Sequence, residues 1–237
     1  MDRIETILWD IDGPLLNFEA SERAAIRTCF SMFGLGECTD EMLAVYSAIN
    51  RGYWQRLERG EMTKPQILVG RFRDFFRQYG LNTDCVEDFN RQYQLSLGDT
   101  VCFHPHALET VLALRGKVRQ YAVTNGTLLA QQKKLRNSGL DKLLDGVFIS
   151  EQVGADKPNI AFFQKVWDAI GPCRPDTVMI VGDSLTSDIQ GGNNAGIPCC
   201  WFNPKGLPRK GDLRIAYEIR DLSQVLDICG ILPGLDS

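Results

Sequence analysis

Histidine is almost absent from this 237-residue chain: His104 and His106 are the only two, and no two of the eight cysteines form a Cys-x-x-Cys pair. No set of soft ligands is left for a structural zinc site. No apolar run approaches the roughly 20 residues needed to cross a bilayer, and Met1-Asp2-Arg3 leads directly to an apolar strand without a charged-then-apolar leader. The expectation is a cytoplasmic protein with no membrane partner. Basic runs are missing as well. With 26 basic against 30 acidic residues the formal net charge is −4, which argues against a nucleic-acid polymer as ligand. In a reducing compartment the cysteines read as small buried hydrophobes. Adjacent Cys199 and Cys200 point to opposite faces of an apparent strand and read as core, not as a redox pair.

What is present is organised around Thr6-Ile7-Leu8-Trp9-Asp10-Ile11-Asp12-Gly13-Pro14. Ile4, Thr6, Ile7, Leu8 and Trp9 have the character of a strand buried on both faces, as in a parallel sheet covered by helices. Asp10 then stands at its carboxyl end, the edge where open α/β sheets bind ligands. Side chains repeat their direction every two residues in an extended chain, so Asp10 and Asp12 can face one pocket, and Gly13 lets the backbone turn away.

From about Phe18 to Gly98 the pattern is helical throughout. Ala20 to Phe33 recur at helical spacing and Gly34 closes that segment. Thr39 and Asp40 can cap a second helix, Thr63 with Pro65 and Gln66 opens a third, and a fourth follows Asp84. Tyr46, Tyr53 and Trp54 read as core of this bundle, with one aromatic as a possible platform for a nucleobase. Strands resume at Val118–Thr124, Gly146–Ser150, Thr177–Gly182 and Ile197–Phe202, with a short one at Tyr217–Ile219, alternating with helices. The expected architecture is α/β: a doubly wound, Rossmann-like parallel sheet core (1–17 and 102–237) with an inserted all-helical cap (18–101). Hinges are expected near Asn17 and Phe103-His104-Pro105.

In a parallel sheet four strand ends would share one rim: Asp10 and Asp12; Thr124-Asn125-Gly126; the loop carrying Asp156-Lys157-Pro158; and Gly182-Asp183 through Asp188. Gathered carboxylates repel: at about 4 Å and an effective dielectric near 20, each pair costs roughly 4 kcal/mol. A bound cation relieves this, and an all-oxygen set without nearby His or Cys favours Mg²⁺. Lys157, the Thr124 hydroxyl and backbone N–H groups at the start of the following helix would hold anionic oxygens.

These four motifs, in this order, resemble those of the haloacid dehalogenase-like hydrolase superfamily: Asp-x-Asp-Gly, a Thr or Ser after an apolar strand, a Lys before Pro, and Gly-Asp-x-x-x-x-Asp. The helical insert after the first motif resembles the superfamily's cap. Gly182 through Ile189, Cys200-Trp201 and the stretch from Ile49-Asn50 to Trp54 look like the pyrimidine 5'-nucleotidase-like branch. The resemblance implies a Mg²⁺-dependent phosphatase for small phosphorylated metabolites, above all nucleoside 5'-monophosphates. It implies Asp10 as nucleophile, Asp12 as acid and base, and Lys157 as the third catalytic residue. Thr124, Asn125 and Lys157 would bind the substrate phosphate. Asp10, Asp12 through its carbonyl, Asp183 and Asp188 would serve the metal. One departure is Pro14, where the family usually has Thr; a weakened or slightly displaced nucleophile loop is expected. The alternatives are a sugar phosphomutase of the same superfamily and a non-catalytic phospholigand-binding protein. Oligomeric state is not legible in the sequence.

Overall fold

The computed structural model describes residues 3–209 and 211–231. Its strands are β1 (Thr6–Trp9), β2 (Arg119–Thr124), β3 (Gly146–Ile149), β4 (Val178–Gly182), β5 (Cys199–Phe202) and β6 (Tyr217–Ile219). Its helices are α1 (Phe18–Met32), α2 (Asp40–Glu58), α3 (Lys64–Gln78), α4 (Val86–Leu97), α5 (Ala107–Leu114), α6 (Leu128–Ser138), α7 (Leu140–Leu143), α8 (Ser150–Val153), α9 (Ile160–Ile170), α10 (Gln190–Ala195) and α11 (Gln224–Ile228). The chain divides into two compact units. One comprises Phe18–Cys102 and Leu129–Asn137, the other the rest of the described chain.

The second unit is built on a six-stranded sheet in the order β3-β2-β1-β4-β5-β6, with every pair parallel. All of β1 and β4 is buried, which is why, apart from β-branched Thr6, these strands are apolar runs without alternation. Leu8, Val123, Ile180 and Trp201 pack with Phe162, Phe163 and Val166 of α9 and with Ile189. From β1 the chain builds outward through β2 and β3, then returns to the other flank of β1 for β4, β5 and β6. The winding direction therefore reverses at β1 and β4, and their carboxyl ends frame the crevice in which such sheets place ligands.

The first unit is a bundle of α1 to α4 around an aromatic core of Phe30, Tyr46, Phe72, Phe75, Phe76, Phe89 and Tyr93. Its starts are capped as the sequence indicates: Thr39 Oγ1 accepts from the Met42 N–H at 3.3 Å, and the Thr63 N–H donates to Gln66 Oε1 at 2.8 Å. A polar layer crosses this core with a member from each helix. The Asn50 amide donates to Glu22 Oε1 at 2.7 Å, and Ser47 also donates to Glu22. Arg71 donates to Asn50 Oδ1 at 2.7 Å and to Asn90 Oδ1 at 3.2 Å. Burial raises the Glu22 carboxyl against the lowering by Ser47, Asn50 and Arg71.

Three expectations need correction. Cys102 and Leu129–Asn137 cluster with the helical unit, not with the sheet. In that segment Ala130 enters the bundle core, Lys133 Nζ donates to Leu95 O at 3.0 Å, and the Asn137 amide donates to Gly98 O at 2.8 Å. Helical periodicity marks an apolar face without naming the core that receives it. Of the three cap aromatics read as core, only Tyr46 is fully buried. Tyr53 and Trp54 are half-buried, and the Tyr53 hydroxyl donates to Asp74 at 2.6 Å. Finally, α5 follows His106, which takes a left-handed φ of 59°; the sequence gives no helix between the expected hinge at Phe103-His104-Pro105 and Val118.

Candidate active site

Asp10, Thr124 and Asp183 stand at the ends of β1, β2 and β4, Lys157 comes from the loop after α8, and Asp188 comes from the turn that follows β4. The β1–β4 ladder runs one residue past the strand, with the Asp10 N–H donating to Val181 O at 2.9 Å, so Asp10 leaves the sheet beside Gly182 and Asp183. Past Asp10 the chain folds over in a tight turn: the Gly13 N–H donates to Leu16 O at 3.0 Å and the Leu16 N–H to Ile11 O at 2.9 Å. Pro14 sits buried within this turn, whose bonds come from its neighbours, so its missing N–H costs nothing there.

Lys157 is the centre of the arrangement. Its Nζ donates to Asp10 Oδ1 at 2.7 Å, to Asp188 Oδ1 at 2.6 Å and to Val123 O at 2.7 Å. An ammonium has three N–H groups, and all three are used. The Lys157 and Asp188 side chains are 1% exposed and that of Asp10 11%. Burial works against the lysine's charge, but the two carboxylates outweigh it and hold its pKa above the ordinary value. Asp10 is pushed up, first by burial and then by Asp188 and Asp183, while Lys157 pulls the other way.

Asp183 completes the group. It lies exposed at the end of β4, and one oxygen from each of Asp10, Asp183 and Asp188 lies within 4.8 Å of the others. The desolvating surroundings and the Asp188 charge push its pKa up to about 7. Three carboxylates against one ammonium leave an excess of two negative charges when all are ionised. The Asp12 side chain stands outside this trio, is half-buried, and is close enough to add to the rise at Asp183.

Two glycines make the trio possible. A Cβ at Gly13, whose φ is +134°, would meet Asp183 Oδ1 at 2.3 Å, and one at Gly182 would meet Asp188 Cγ at 2.2 Å. Both carboxylates thus lie directly on bare backbone. Gly13→Ala is expected to lower stability by about 1–3 kcal/mol through overpacking, read as a lower urea midpoint, because Asp183 must move and the φ is unfavourable as well.

The remaining rim residues brace this cluster. Leu185–Ile189 forms a π-helical turn carrying Asp188, a geometry often found at functional positions. Ser184 caps it, its N–H donating to Asp188 Oδ2 at 3.1 Å and its Oγ accepting from the Ser187 N–H at 3.1 Å. Thr124 Oγ1 accepts from the Gly126 N–H at 3.0 Å and retains its own proton to donate. The Asn125 carboxamide is bonded to the main chain of Lys157. The sequence marks Trp201 only as part of the branch resemblance; its Nε1–H donates to Asp183 O at 3.0 Å and pins the end of β4. No local signal announces a contact that crosses from β5.

The architecture agrees with what comparison finds. A family model for haloacid dehalogenase-like hydrolases matches residues 4–196. The HAD-hydrolase YfnB of Bacillus subtilis is 34% identical over 98% of this chain and 97% of its own length. Its magnesium-bound crystal structure superposes with a TM-score of 0.92 over 97% of this chain and 100% of that one. Pyrimidine 5'-nucleotidase PynA of Streptococcus pneumoniae is 32% identical over 93% of each chain. Pyrimidine 5'-nucleotidase YjjG of Escherichia coli is 28% identical over 91% of this chain and 96% of its own. Since the matched stretch takes in β1, the helical insert and all four rim motifs, the chain belongs to the haloacid dehalogenase-like hydrolases.

Proposed function

We propose that the protein is a Mg²⁺-dependent phosphatase that hydrolyses small phosphomonoesters, most specifically nucleoside 5'-monophosphates, through an aspartyl-phosphate on Asp10. The observation that carries the reading is the Lys157 ammonium bonded to both Asp10 and Asp188 at the carboxyl rim, with Asp183 completing a three-carboxylate cluster. The names of PynA and YjjG support the nucleotide class.

The residues fit Mg²⁺. One oxygen from each of Asp10, Asp183 and Asp188 lies within 4.8 Å of the others, close enough for a small cation held by carboxylates. The donor set is all oxygen, and the excess negative charge calls for a divalent ion. Asp10, Asp183 and the Asp12 carbonyl would hold it, with Asp188 orienting from behind. When bound, the ion neutralises phosphoryl oxygens.

In this reading Asp10 attacks phosphorus, the phosphorus–oxygen ester bond breaks, and Asp12 gives its proton to the departing alkoxide. Asp12, now a carboxylate, takes a proton from water, whose oxygen attacks the aspartyl-phosphate; inorganic phosphate leaves and Asp10 is restored. Lys157 favours the ionised nucleophile against the effect of burial, and reaches a phosphoryl oxygen by exchanging one of its three partners. The Thr124 hydroxyl and the main chain at Asn125 hold the phosphate. Eight free cysteines support a cytoplasmic setting, and no helix among the described residues is long and apolar enough to cross a membrane.

The test is phosphate release from a panel of nucleoside and sugar monophosphates with Mg²⁺ or with EDTA. Turnover that needs Mg²⁺ and favours nucleoside 5'-monophosphates is expected; no turnover of any of them would overturn the reading. A pH effect accompanies it. An acid raised from 3.8 to about 7 on folding, as Asp183 is, binds more protons folded than unfolded, so it lowers stability as pH rises between those values. Mg²⁺ removes that cost. The gain in melting temperature on adding Mg²⁺ should therefore be larger at pH 7.5 than at pH 5, and equal gains would count against Asp183 as a ligand.

A further inference from the structure

We propose that the Asn125 side chain is a positioning residue for Lys157: it fixes the lysine's main chain so that Nζ stands between Asp10 and Asp188, and it does not touch the substrate phosphate. The inference rests on the phosphatase reading and concerns how that site is set.

The contacts carry it. Asn125 Nδ2 donates to Lys157 O at 2.8 Å, and the Lys157 N–H donates to Asn125 Oδ1 at 2.8 Å. One carboxamide thus satisfies both backbone groups of one residue 32 positions away, in the way a neighbouring strand would. The second Nδ2 hydrogen reaches Ser187 Oγ at 3.4 Å. A carboxamide has two N–H groups. With both directed at Lys157 O and Ser187 Oγ, it has no donor left for an anion. The orientation of the amide is fixed by its partners, since only oxygen can accept the Lys157 N–H and only nitrogen can donate to its carbonyl.

The same contacts make Asn125 a junction. Through Lys157 it governs the salt bridges to Asp10 and Asp188, and through Ser187 it touches the turn that carries Asp188. Asn125 is 8% exposed and Lys157 1%, so water is a poor substitute for the lost bonds. A lysine whose main chain drifts swings its Nζ at the end of a four-carbon lever, and a misplacement of about 1 Å in such machinery costs about 100-fold in rate. Aspartate does not replace the amide: it accepts the Lys157 N–H but faces the Lys157 carbonyl with a second acceptor.

The experiment is a double-mutant cycle. Asn125→Ala and Asn125→Asp are each made alone and combined with Lys157→Met, and kcat and KM for p-nitrophenyl phosphate are measured with Mg²⁺. Each single variant is expected to lose about 100-fold in kcat with KM changed far less, and to lose under about twofold further once Lys157 is already Met. Equal fold losses in both backgrounds, or a loss confined to KM, would overturn the proposal and return Asn125 to the phosphate. A readout that needs no turnover is hydrogen exchange of the Lys157 amide, expected to quicken in Asn125→Ala; unchanged protection would also overturn it. If the wild-type chain turns over no phosphomonoester, the phosphatase reading fails, while the exchange experiment still decides whether Asn125 holds Lys157. If Asn125→Ala does not fold, Asn125→Asp supplies the same cycle, and Asn125→Leu, which likewise offers no acceptor to the Lys157 N–H, supplies the exchange measurement.

Discussion

Asp10→Asn should remove turnover while leaving the fold standing. Asparagine has the shape of aspartate and keeps an oxygen for the Lys157 Nζ, which retains Asp188 Oδ1 and Val123 O. What disappears is the carboxylate that would form the phosphoryl bond. Removing a nucleophile that acts as part of a unit costs at least about 10⁴-fold in rate. The expected result is phosphate release at or below one part in 10⁴ of wild type, by this measure. The denaturation midpoint should stay level or rise, because burial raises the Asp10 pKa and the neutral amide has no such penalty. Activity within a factor of ten of wild type would mean that the nucleophile lies elsewhere.

Lys157→Met is expected to have the largest effect on stability. It strands Asp188, 1% exposed, and Asp10, 11% exposed, without their cation. Breaking a buried pair by deleting one partner costs about 3–5 kcal/mol, and here one lysine serves two acids. The melting temperature without Mg²⁺ should fall sharply, and Mg²⁺ should restore more of it than it adds to wild type, because the excess charge has grown. Lys157→Arg should not rescue the site: three bonds converge on one nitrogen, and a planar fork of five donors cannot reproduce that convergence. Chemical denaturation with and without Mg²⁺ measures both effects. A loss below 1 kcal/mol would show that the two carboxylates are compensated by something other than Lys157.

These outcomes turn on features that were unevenly legible in the amino-acid sequence. Asp10 and Asp183 announce themselves because each follows an apolar strand with a residue such strands otherwise lack, and Lys157 because a lysine stands before Pro158 in the loop beyond β3. The parallel sheet follows from β1 and β4 being buried at every position and, Thr6 apart, without a polar side chain. Three-dimensional pairing is another matter. That Lys157 spends all three hydrogens before any substrate arrives, that Asn125 serves the lysine's backbone, and that Trp201 reaches Asp183 from β5 are contacts between residues far apart in sequence, with no local periodicity to reveal them. The π-helical turn at 185–189 escaped for a different reason: one inserted residue disturbs a helical pattern too little to be read in so short a segment. Leu129–Asn137 showed its helix and concealed its partner, since an amphipathic face fits any apolar surface of the right curvature.

The polar layer that crosses the helical bundle carries a consequence for anyone transplanting this unit. Glu22, Asn50, Arg71 and Asn90 sit on α1, α2, α3 and α4 in turn and depend on one another for their bonds. Glu22, Asn50 and Arg71 are buried, so replacing one leaves polar groups of its neighbours short of a partner, whereas exchanging the set together for well-packed hydrocarbon is far less harmful. Chimeras that splice helices from two related bundles should thus succeed or fail by whether both donors share this key, and directed evolution would have to leap the quartet as a block.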